Sequence, residues 1–303
     1  LSVYKGEKGL KILKLLFHVG IVVALLIVVP AGASAQLAGD PKGLIAFKPG
    51  TSAFAYYFRH ITAEKYESNG TSTTNNDYQF NYSLLRGVYY GELFGFITQY
   101  NVIVPYGSKQ QVRNISPTSV TSRSTGWGDT ALRAYLWILD TPTIKVVPGW
   151  NINVPTGKYH NESSVNIGAN KWCYGPELGF AYLPNKDWMF ELHTTATYST
   201  DNDDYGTAHQ RLATDPLFNA TFHLIYNVNT NLFFAASGYW LRGGENQLEG
   251  VRRNNDINTK GTVLTAQIRF NFPLQILLQY GRDLEVKNGF VTESLMTRLL
   301  YVF

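Results

Sequence analysis

Apolar residues recur at every second position along most of this chain, in runs joined by connections that are alternately short and long. The clearest instance lies between Gly126 and Lys158. Over 130–139, Leu132, Ala134, Leu136 and Ile138 share one face, while Asp129, Arg133, Tyr135 and Trp137 share the other. After Asp140-Thr141-Pro142, a tight-turn signal, Ile144, Val146, Pro148, Trp150, Ile152 and Val154 resume the apolar face. Lys145, Val147, Gly149, Asn151 and Asn153 oppose them. A period of two belongs to strands, whose side chains alternate between faces. The segment therefore predicts a hairpin with one greasy face and one polar face carrying charges. The greasy face is the one expected to meet lipid.

The same alternation predicts twelve strands, over 52–66, 77–89, 93–106, 130–139, 144–154, 171–183, 188–200, 215–228, 232–241, 259–272, 275–286 and 291–303. In the first, Phe54, Tyr56 and Phe58 are in phase; in the second, Tyr78, Phe80, Tyr82, Leu84 and Val88. A brief reversal is expected around Gly91-Glu92, and 107–125, 156–170, 201–214 and 243–258 read as long polar loops. Long connections follow odd-numbered strands and short ones even-numbered strands, with Lys287-Asn288-Gly289 the single short connection where a long one is due. Outer-membrane barrels have this asymmetry, with short periplasmic turns, long external loops and spanning strands of about 9–11 residues. A soluble sandwich, with strands of about five or six residues, requires none of it. The expected fold class is all-β: an antiparallel transmembrane β-barrel of about 12 strands.

The N-terminus is consistent with export. Lys5, Lys8, Lys11 and Lys14 precede an apolar run over 15–29, and Ala33-Ser34-Ala35 supplies a small-x-small cleavage site. Residues 1–35 thus read as a signal peptide, 36–51 as a periplasmic lead-in or small plug, and 52–303 as the barrel. The expected location is the bacterial outer membrane. The formal net charge of +4 owes four lysines to the leader, so the mature chain is near neutral and no nucleic-acid partner is expected. Hydrophobic residues make up 45% of the 303 and aromatic residues 14%, with 20 Tyr and 17 Phe but 2 Met, a balance that favours strands. Cys173 is the single cysteine, which excludes an intramolecular disulfide and reads as a packing residue.

The polar faces would line the lumen. They present Asp129, Arg133, Lys145, Lys171, Glu177, Glu191, His193, His223, Arg269 and Arg298, which either brace the interior as ion pairs or select a permeant. Asp129 is expected at the external mouth. Glu177 and Glu191 lie on neighbouring strands, with Lys145, Lys171 and His193 as candidate partners. Tyr135, Trp137 and Tyr239 are candidates for an aromatic lumen surface. Trp127, Trp150, Trp172, Trp188 and Trp240 fall near strand ends, as interfacial girdles require. No catalytic set, metal-ligand spacing or cofactor motif is present in the sequence. A lipid hydrolase would need an outward-facing Ser-His pair. The remaining histidines are placed in the leader (His18), near a strand end (His60) and in loops (His160, His209).

The last residues alternate as Leu295, Thr297, Leu299, Tyr301 and Phe303. Leu299, Tyr301 and the terminal Phe303 resemble the C-terminal signal that outer-membrane proteins present to their assembly machinery. That machinery and outer-membrane lipid are the expected macromolecular partners. Gly126-Trp127-Gly128-Asp129, Pro155-Thr156-Gly157-Lys158-Tyr159, Asn166-Ile167-Gly168-Ala169-Asn170 and the strand from Trp172 to Tyr182 carry a further resemblance. From about residue 43 to Phe303 the chain resembles the family of outer-membrane transporters named for the meta-cleavage pathway of phenol degradation. The resemblance implies an outer-membrane barrel, a strand carrying Glu177, and passage of small hydrophobic, often aromatic, solutes. The expected function is a porin-like channel for their passive uptake, with no cofactor and no enzymatic activity. The alternative is a structural or adhesive barrel with a closed lumen.

Overall fold

A chain with a greasy face on nearly every strand can bury its backbone groups by closing the sheet on itself, and this one does. The computed structural model describes residues 39–303 apart from 75, 116, 117, 271 and 272. The expected leader over 1–35, and the first residues of the expected lead-in, lie outside the described residues. Twelve strands form one antiparallel barrel: β1 (Ser52–Ser68), β2 (Asp77–Leu93), β3 (Phe96–Ile115), β4 (Thr130–Leu136), β5 (Ile144–Val154), β6 (Cys173–Tyr182), β7 (Trp188–Ser199), β8 (Leu217–Asn227), β9 (Leu232–Gly243), β10 (Ile257–Arg269), β11 (Leu274–Val286) and β12 (Asn288–Val302). Each pairs with its neighbours in sequence, and β12 returns to β1 from Ala53 opposite Val302 to Ser68 opposite Asn288. Closure pairs the backbone groups between strands and leaves no edge, the condition for crossing a bilayer with strands. No helix among the described residues is long and apolar enough to cross a membrane.

The greasy faces are outside. Phe54, Tyr56, Phe58, Leu132, Trp150, Leu178, Phe222, Leu264 and Leu295 are all exposed, Leu132 at 41% against 2% for Trp137 on the opposite face of the same hairpin. Aromatics gather at both ends of this surface. Trp188 packs on Tyr226 and Tyr301 on Phe303 at the short-turn end, while Tyr106 packs on Trp127 and Tyr174 on Tyr198 at the long-loop end. Such belts suit rings that are apolar in body and polar at the tip.

Strand β2 departs from the expectation. Its register sets Leu84 opposite Tyr57 and Tyr82 opposite Arg59, so Tyr78, Phe80, Tyr82, Leu84 and Val88 face the lumen. Leu85 and Tyr89 face lipid instead. Hydropathy cannot separate an aromatic inner wall from a lipid face, because a shift of one residue exchanges the two. The charge within the run, Arg86, marks the true inner face.

The connections also differ in detail. The β2–β3 reversal sits at Phe94 and Gly95, both at positive φ (52° and 80°), as a tight hairpin demands. The segment read as a polar loop over 107–125 is largely strand: β3 runs on to Ile115 and pairs with Thr118–Trp127, from Tyr106 opposite Trp127 to Ile115 opposite Thr118. Ser, Thr and Gln form this extension without apolar alternation, because neither face there needs to meet lipid. Two other polar loops build a small sheet of their own, with Asn202–Tyr205, Gln210–Thr214, Asn246–Leu248 and Val251–Arg252 paired in that order.

Candidate functional site: the barrel lumen

Register decides what the inner wall presents. On β4, β5 and β6 the inward residues Tyr135, Gly149 and Glu177 lie directly opposite one another across the strands. The Tyr135 ring lies over Gly149, where an added Cβ would stand 2.3 Å from its Cδ1, and its hydroxyl donates to Glu177 at 2.5 Å. The same arrangement recurs across the barrel. Tyr239 on β9 crosses Gly261 on β10 and donates to Asp283 on β11. A Cβ at Gly261 would meet the Tyr239 hydroxyl at 2.1 Å. In both cases the missing side chain lets a tyrosine lie flat along the wall rather than across the bore, with its hydroxyl satisfied by a carboxylate.

The charges are arranged as braces. Arg133 Nε stands 3.9 Å from Glu177. Arg59 donates to Tyr82 and Ser294 (3.3 and 2.9 Å), and Arg86 donates to Asn101 (2.8 Å) and Tyr57 (3.2 Å). Asp283 also accepts from the Thr292 amide (2.7 Å) and hydroxyl (2.6 Å). Lys109 stacks above Tyr78 and Phe80. Buried charge is tolerated only with such partners.

One partner comes from outside the barrel wall. Residues 39–47 lie within the lumen on the short-turn side, ahead of β1. Asp40 accepts from Tyr57 (2.6 Å) and Arg298 (2.6 Å), with Arg86 at 3.9 Å. Glu191 accepts from the backbone amides of Lys42 (2.8 Å) and Leu44 (3.1 Å). The Trp137 indole donates to the Leu44 carbonyl at 3.0 Å. Leu44 sits in the notch left by Gly179, where a Cβ would approach its Cδ2 to 2.4 Å. It packs in an apolar cluster with Val88, Tyr90, Val147, Met189, Ile225 and Phe233. Lys42 Nζ lies over the Phe233 ring.

The remaining expected site residues fall as follows. Asp129 stands at the end where the long loops gather, bound into loop backbone: it accepts from the amides of Gly157 (2.9 Å) and Ala169 (2.8 Å). A Cβ at Gly157 would meet Asp129 Oδ1 and Gly168 Cα, both at 2.7 Å, so the glycine-rich segments form one knot at the rim. Lys171 lies in the loop ahead of β6 and donates to Thr214 at 2.6 Å; burial pushes its ammonium below the usual lysine range. Lys145 points inward near the short-turn rim and pairs with Asp140 of the adjacent turn. Arg269 is inward, its Nε buried without a hydrogen-bond partner. Trp137 is covered by residues 44–47 and so presents no free aromatic surface. Glu177 and Glu191 do not pair with each other.

Glu191, His193 and His223 come together. Glu191 faces His223 across β7 and β8, and His193 follows two residues along β7. His223 Nδ1 also meets Ser237 Oγ at 2.7 Å. This Ser-His pair is buried inside the barrel, not on the lipid face. Asp40, Arg59, Arg86 and Asp283 join the site without a place among the expected residues. The inward parity of Arg59 with Ala53, Ala55 and Tyr57 was a usable sign; Asp40, in a segment without periodicity, offered none.

On the bilayer side, a groove of about 450 Å³ lies along β6 to β9. Thr194, Ala196 and Ala220 are small enough there to leave room between Leu178, Phe218 and Trp240.

The family described as "Putative MetA-pathway of phenol degradation" matches residues 62–299. Among solved structures, an outer membrane channel from Pseudomonas putida F1 superposes with a TM-score of 0.80 at 25% identity, covering 85% of this chain and 97% of that one. The translocator domain of the autotransporter NalP from Neisseria meningitidis (TM-score 0.53, 12% identity, 89% and 96% covered) shares the fold. So does the β domain of the Bordetella autotransporter BrkA (0.54, 11%, 83% and 100%). No curated protein matches.

Proposed function

Since the chain belongs to the family described as "Putative MetA-pathway of phenol degradation" and is an outer-membrane channel protein by fold and neighbours, we propose that it admits small hydrophobic or aromatic compounds by passive uptake. The observation that carries this reading is the construction of the inner wall. Tyr135 and Tyr239 are laid flat over Gly149 and Gly261, and with the aromatic face of β2 they give the bore an apolar lining between braced charges. A wall of this kind can contact a ring without having to desolvate an unpaired charge.

In this reading residues 39–51 act as a plug on the periplasmic side, the side of the short turns. Solute enters where the long loops gather and passes only when the plug yields. Its contacts suit a movable part. Two polar anchors, Asp40 and Glu191, and one apolar knob, Leu44, hold a segment that contributes no strand to the barrel. The same occlusion favours a second reading, a barrel whose lumen stays closed and whose loops do the binding.

Uptake into proteoliposomes separates the two. Purified protein should raise the permeability to a small neutral aromatic such as phenol, or a small aromatic acid, above that of empty liposomes. Permeability no greater than that of empty liposomes for every small apolar and polar solute tried would sink the channel reading and leave the closed barrel.

A further inference from the structure

We propose that Glu191, His193 and His223 form a binding site for a divalent transition-metal ion of the zinc class, inside the barrel beneath the lumenal segment. The inference is independent of what the channel carries. Three observations support it.

The first is geometry. One ligand atom from each residue lies within 4.8 Å of the other two, and His193 Nε2 is 3.7 Å from Glu191 Oε2. A tetrahedral zinc ion with bonds of about 2.0–2.1 Å sets its ligand atoms about 3.3 Å apart. Side-chain adjustment closes the difference, since all three sit on adjacent turns of the pleat of two paired strands.

The second is unmet bonding capacity. The Nε2 atoms of His193 and His223 are buried without a well-formed hydrogen bond, the His223 ring also reaching the backbone of Gly39. Buried polar atoms are seldom left so, and two imidazole nitrogens facing one carboxylate make a set that a cation would satisfy together. Two histidines with one glutamate are a donor set that zinc accepts, with a fourth position left for water.

The third is outer support. With its proton on Nδ1, His223 donates to Ser237 Oγ at 2.7 Å, which leaves Nε2 as the nitrogen able to ligate. An outer hydrogen bond of this kind fixes the tautomer and orientation of a ligating histidine. The carboxylate of Glu191 is oriented by the amides of Lys42 and Leu44. Gly39 closes the pocket: a Cβ there would lie 3.0 Å from His193 Nδ1. The ion would therefore tie the lumenal segment to the wall through Glu191, making segment docking metal-dependent.

The test uses the full-length untagged protein in detergent, stripped with a chelator and titrated with Zn²⁺ by calorimetry and with Co²⁺ by visible absorption. One equivalent should bind per chain, with cobalt bands of tetrahedral intensity and a raised thermal midpoint. His223→Gln and His193→Gln, each verified as folded by the heat-dependent mobility shift of barrels on gels, should abolish both effects. Ser237→Ala should weaken binding by about 10–100-fold, as loss of an outer partner does. Substoichiometric binding, or one-equivalent binding that survives in the folded His193→Gln/His223→Gln double variant, would overturn the assignment.

Discussion

Asp40 joins three strands of the barrel through one carboxylate. Its carboxylate meets Tyr57, Arg298 and Arg86, which come from β1, β12 and β2. Removing one member of a buried ion pair leaves the others charged without compensation, at a cost of about 3–5 kcal/mol. Asp40→Ala should therefore destabilise the barrel by roughly that amount, and Asp40→Asn by less, because the amide still accepts from Tyr57. Urea unfolding in lipid vesicles, followed by tryptophan fluorescence, measures both. Equal midpoints for Asp40→Ala and the parent would show that the arginines find other partners, such as Gln267, which already accepts from Arg298.

Strand alternation makes each element a boundary between two solvents. On β10, Leu264 is 61% exposed toward lipid while its neighbour Val263 is 9% exposed and faces the lumen. A cationic side chain near the midplane of the lipid face costs about 2–4 kcal/mol. Leu264→Arg should lose that much in vesicle unfolding experiments, and Val263→Thr, which keeps the shape on the inner wall, should lose far less. If the two variants were alike, the assignment of outer and inner faces along β10 would be wrong. The three-strand arrangement of tyrosine, glycine and carboxylate shows the same element logic on the inner wall. It needs one residue at the same level on each of three strands, which register alone provides.

For the molecule as a whole the decisive contact is between the barrel and the segment ahead of it. Leu44 fits a notch that exists because position 179 is glycine. Gly179→Leu should fill the notch, displace Leu44 and its amide bond to Glu191, and unseat the segment while leaving every charged side chain in place. The expected outcome is a larger single-channel conductance in planar bilayers and easier proteolysis ahead of β1, with the heat-dependent gel shift of the barrel retained. Unchanged conductance alongside released protease sites would mean that the segment does not limit the bore.

Much of this architecture is legible in the sequence. The twelve strands, the lipid face at Leu132 and Ile152, the inward direction of Arg133 and Glu177, and the long loops gathered at one end all follow from a constraint that acts on each residue separately: a side chain facing hydrocarbon must be apolar, whatever its neighbours. What the sequence could not show depends on partners distant along the chain. The inward face of β2 is set by its register with β1, not by its own hydropathy. The polar extension of β3 leaves the region where alternation is enforced, and so it carried no periodic signal. Asp40 and Leu44 lie in a segment with no period at all, and their roles exist only because the closed barrel brings Arg298 and Gly179 to them. The gathering of Glu191, His193 and His223 likewise required one pairing, Glu191 against His223. Faces are a local property of a strand in lipid; what meets across a lumen is decided by closure.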